Sequence, residues 1–85
     1  MTTLQRFEEM LTNKGVFESQ AKQIMELAKP KFAETMQEYN VTWERPANEY
    51  PEAFYVIGFA TIVKPAALQW IDENLPKAWF RAMFV

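Results

Sequence analysis

Trp79, Phe80 and Arg81 stand side by side near the end of this chain, with Phe84 three residues further on. Large aromatic rings beside a guanidinium are the groups that most often anchor a protein interface. The same groups can stack on unpaired bases. These four residues are therefore the contact site that the sequence offers. A small domain also uses such rings to close its own core, so their place in the fold decides between the two uses.

Catalytic chemistry has far less to draw on. The chain has no histidine, the side chain whose ordinary pKa best suits proton transfer near neutrality. It has no cysteine either, which removes thiolate nucleophiles, zinc-thiolate sites and every Ser-His or Cys-His arrangement. With only Gly15 and Gly58, no glycine-rich phosphate loop can form. The paired carboxylates Glu8-Glu9 and Asp72-Glu73 are sequence neighbours. On a helix, neighbours point about 100° apart and make no clamp for a metal. The expectation is a protein that is not an enzyme and has no catalytic, cofactor-binding or metal-binding residues.

Eighty-five residues with 49% hydrophobic and 15% aromatic content can assemble one core without disulfides or metal. The whole of 1–85 is expected to be a single helical domain of modest stability. Nine basic and eleven acidic side chains give a net charge of −2. They are spread evenly, six against seven in residues 1–45 and three against four in 46–85. With no basic patch, phosphate-dominated nucleic-acid binding has little electrostatic support. No charged segment leads into an apolar signal-like stretch. The longest apolar run, 53–63, falls short of the 18 or so residues that cross a bilayer. The expectation is a cytoplasmic protein with no membrane contact.

Periodicity supplies the elements that would position any contact site. Thr2 followed by Gln5 forms a capping box, and Leu4, Phe7 and Leu11 mark one stripe of a short helix. Gly15 suits the left-handed position that closes it. Phe17, Ala21, Ile24, Ala28, Phe32, Met36 and Tyr39 keep a helical rhythm through Pro30, which predicts one kinked helix ending near Asn40. Residues 41–48 are a connector whose Trp43 should pack against the helices. Tyr50-Pro51-Glu52 opens the next helix.

Residues 54–63 are rich in β-branched and aromatic side chains, which favours a strand by propensity. No second segment alternates to pair with it, so a buried helix is the better reading. Lys64-Pro65 should interrupt that helix and begin another over 66–74, with a last short turn over 78–83. Trp70 should face inward, while Met10, Met25, Met36 and Met83 fill gaps in the core. The fold class expected is all-α, a small bundle of four to five short or kinked helices.

Several blocks taken together resemble a known group of proteins. They are Gly-Val-Phe-x-x-x-Ala-x-x-Ile-Met at 15–25, Tyr-Pro-Glu at 50–52, Ala-Leu-x-Trp-Ile-Asp-Glu-Asn at 67–74 and Pro-x-Ala-Trp-Phe-Arg-x-Met-Phe at 76–84. The pattern is similar to small proteins of unassigned function encoded in bacteriophage and prophage genomes. The resemblance implies an origin and supplies no functional residues. The functional expectation is a non-enzymatic module, an accessory protein of phage or prophage origin with unassigned function, that binds another protein or associates with itself as a homodimer. The alternative is a single-stranded nucleic-acid binder using Trp79, Phe80 and Arg81.

Overall fold

The computed structural model describes residues 1–36 and 41–74, which form a bundle of three helices. These are α1 (Thr3–Thr12), α2 (Glu18–Thr35) and α3 (Glu52–Asn74), with a single 3₁₀ turn at Ala47–Glu49 leading into α3. There is no strand among the described residues. The all-α expectation holds, but the count of four to five helices does not. The final turn expected over 78–83 lies outside the described residues.

α1 begins as its capping box dictates. The Gln5 N–H donates to the Thr2 hydroxyl at 3.2 Å, and the Gln5 side-chain carbonyl accepts from the Thr2 N–H at 2.9 Å. The next free N–H groups, on Thr3 and Leu4, donate to the Arg45 and Trp43 carbonyls of the connector. The start of α1 is thus stitched to a segment forty residues away, and Thr3 becomes fully buried. Its end is a Schellman closure. Gly15 takes φ 96°, its N–H reaches the Thr12 carbonyl, and the Val16 N–H reaches that of Leu11.

α2 starts at Phe17, whose N–H is received by the Gln20 side chain at 3.2 Å. That position turns the Phe17 ring outward, 73% exposed, so Phe17 does not join the apolar stripe its spacing suggested. Ala21, Ile24, Met25, Ala28 and Phe32 do face the core. The helix runs through Pro30 without ending. Pro30 and Glu26 are both exposed, so the carbonyl that loses its donor to Pro30 faces solvent rather than the core.

α3 corrects the largest error of the sequence reading. Lys64-Pro65 does not interrupt it; one helix of 23 residues continues from Glu52 to Asn74. Proline clashes with the carbonyl four residues back. The helix accommodates this by widening to a π turn over Phe59–Val63, where the Lys64 N–H reaches the Phe59 carbonyl five residues back. With its length and a mean hydropathy of 1.4, α3 meets the size and composition of a membrane span. More than half of that window is buried inside the bundle, which accounts for its hydropathy, since a central helix must be apolar on several sides.

The core gathers rings from every element. Phe7 of α1, Phe32 of α2, Phe54 and Tyr55 of α3, and Trp43 of the connector meet with centroids 5.0–6.2 Å apart. Trp43 meets Phe32 edge to face at 5.0 Å and 87°, the packing expected for it. Gly58 makes this approach possible. A Cβ there would stand 3.1 Å from Phe32 Cε1 and 3.3 Å from Phe7 Cζ. Gly58→Ala gains up to about 1 kcal/mol of helix propensity but overpacks two buried rings, which costs about 1–3 kcal/mol. The expected outcome is a net loss of about 1 kcal/mol in urea unfolding. An unchanged or raised stability would show that the rings can move aside.

Candidate interaction surface

Among the described residues the exposed large apolar side chains are Met1, Phe17, Val56 and Ile57, and of these Val56 and Ile57, each 54% exposed, are neighbours on α3. Ala53, Ala60 and Pro65 are exposed along the same side of α3. Thr61 lies among them, and its hydroxyl is turned back onto the Ile57 carbonyl at 2.7 Å. That bond spends the only polar group of the side chain on its own helix. The result is an apolar strip of more than two turns, bounded by Glu52 before it and Lys64 after it.

Two rows run along this strip at four-residue spacing. One is Glu52, Val56, Ala60 and Lys64; the other is Ala53, Ile57, Thr61 and Pro65. In an unbroken α-helix a four-residue row drifts about 40° per step, so Lys64 would stand about 120° around the axis from Glu52. The π turn between them holds more residues per turn and removes most of that drift. The element that accommodates Pro65 therefore also keeps the outer face straight.

Glu52 is positioned by Arg6 of α1, whose guanidinium lies 2.9 Å from its carboxylate, yet the Glu52 side chain remains 69% exposed. Arg6 also sits over the Tyr55 ring at 5.6 Å. The other charges are dispersed. Lys22, Lys29 and Arg45 each stand against a glutamate of their own segment, and Lys31 donates to Gln69. No group of three metal-ligating side chains occurs among the described residues. Glu8 and Glu9 do not converge on other carboxylates, Glu9 standing 3.5 Å from Arg6. Asp72 and Glu73 are exposed at the end of α3. A shallow hollow of about 260 Å³ beside Met1, Pro46, Ala47 and Asn48 holds no charged side chain.

Trp70 is buried as expected, and its Nε1–H donates to the Gln23 side chain of α2 at 3.2 Å. The four contact residues read from the sequence, Trp79, Phe80, Arg81 and Phe84, all lie outside the described residues, as does Met83. The outer face of α3 is a surface that the sequence reading missed. Its signal was present: Ala53, Val56, Ile57 and Ala60 recur at spacings of three and four, within a segment read as apolar on all sides. Comparison with protein-family models, curated proteins and solved structures finds no match to this chain.

Proposed function

We propose that this chain is a non-enzymatic interaction module that binds a protein partner, itself included, through the outer face of α3. The observation that carries the reading is Val56 and Ile57 standing together, half exposed, on a face whose neighbours are Ala53, Ala60 and Thr61. Single exposed apolar residues are ordinary on any surface, whereas contiguous ones bounded by charge mark contact sites. Among the described residues the basic side chains are dispersed, and Arg6, Lys22, Lys29 and Arg45 each stand against a glutamate, which favours protein over a phosphate backbone as the partner. The resemblance to small phage and prophage proteins supports an accessory role in that setting.

Ile57→Lys tests the reading. Its Cβ branch is removed, helix propensity is slightly improved, and an exposed position is changed, so stability should move by less than about 1 kcal/mol. The variant should lose whatever the wild type retains in affinity capture from its native cells. Phe17→Lys, at a more exposed apolar position on α2's cap, should retain it. Equal retention by all three proteins would place the contact surface away from α3.

A further inference from the structure

We infer that the partner of this face is a second copy of the chain, packed antiparallel along the row Glu52, Val56, Ala60 and Lys64. The inference rests on reading α3's outer face as the contact surface. The row begins with an acid, ends with a base and is apolar between them. Turned about a two-fold axis it is its own complement: Glu52 faces Lys64 of the other copy, Val56 faces Ala60, and the two remaining pairs repeat these. A two-fold interface requires this property, because one patch must satisfy itself. Parallel pairing would instead set Glu52 beside Glu52 and Lys64 beside Lys64, so charge selects the antiparallel arrangement.

The fold prepares both ends of the row. Arg6 holds Glu52 in place while most of its side chain stays open to solvent. Lys64 is partly exposed, and its side chain has no hydrogen-bond or ion-pair partner among the described residues. By helix geometry, the extra residue per turn of the π segment brings Lys64 round toward the side of Glu52. The small side chain of Ala60 leaves room for Val56 of the other helix, so the backbones can approach closely. The row spans about 18 Å, a short contact by the standard of specific interfaces, so the dimer is expected to dissociate on dilution.

Sedimentation velocity of the full chain over a wide concentration range, at low and moderate salt, tests this. The wild type should pass from monomer to dimer as concentration rises. Lys64→Glu, which turns two attractive pairs into repulsive ones, should weaken the dimer roughly tenfold. Adding Glu52→Lys to that variant should recover most of the loss, with circular dichroism confirming that each variant is folded. A wild type that stays monomeric to several hundred micromolar would overturn the second copy as partner. The contact-face reading would then still stand or fall by the Ile57→Lys capture. A dimer indifferent to both Ile57→Lys and Lys64→Glu would overturn the inference and the contact-face reading together.

Discussion

Phe7→Ala should destabilise the protein by about 3–5 kcal/mol. Phe7 is fully buried, and its ring meets four others: Tyr55 at 5.1 Å, Phe32 at 5.3 Å, Phe54 at 5.8 Å and Trp43 at 6.1 Å. Those partners come from α2, α3 and the connector, so no rigid-body shift of one element can refill the space. Beyond lost burial, each aromatic pair contributes about 0.5–1.5 kcal/mol. A domain of this size has a total stability of about 5 kcal/mol. The variant should therefore populate the unfolded state measurably without denaturant. Urea unfolding followed by tryptophan emission would measure it, since Trp43 packs directly against the altered site. A loss below about 1 kcal/mol would contradict a core centred on this ring.

Trp70→Ala is the second large effect, again about 3–5 kcal/mol, but it acts at the other end of the bundle. Trp70 is 8% exposed and joins α3 to α2 both by ring burial and by its bond to Gln23. The two contributions separate in Trp70→Phe. That change keeps most of the ring and removes the N–H. Because Gln23 is exposed, water can replace the lost donor, so Trp70→Phe should cost only about 1 kcal/mol. If Trp70→Phe cost nearly as much as Trp70→Ala, the hydrogen bond would outweigh the packing, contrary to the burial seen here.

How much of this was legible in the sequence depended on whether the determinant was local. The Thr2–Gln5 box, the left-handed Gly15 and the start of α3 at Tyr50-Pro51-Glu52 all depend on a few adjacent residues, and each appears as read. The choice of helix over strand for 54–63 also held, because it rested on the absence of a pairing partner rather than on propensity. Two features escaped. Pro65 looked like a break, since a proline normally ends a helix, but the tertiary packing of Phe59, Ile62, Val63, Ala66 and Ala67 on one side favours continuity. The π turn makes that continuity possible. The exposed face of α3 escaped for a related reason. A segment apolar on nearly every side shows more than one stripe at helical spacing, and none of them says which side solvent meets. Only the positions of α1 and α2 reveal that Val56 and Ile57 face out while Phe54, Tyr55 and Gly58 face in.

The contact role of α3 is tested most directly by the accessibility of that face in solution. The natural chain has no cysteine, so Val56→Cys and Phe17→Cys each introduce a unique thiol at an exposed position. Their rates of reaction with a thiol reagent would be measured as unlabelled wild-type protein is added in increasing excess. The thiol at position 56 should become progressively protected, while that at position 17 should react at a constant rate. Equal and unchanging reactivity at both positions would contradict an interaction surface on α3 that a second copy of the chain occupies.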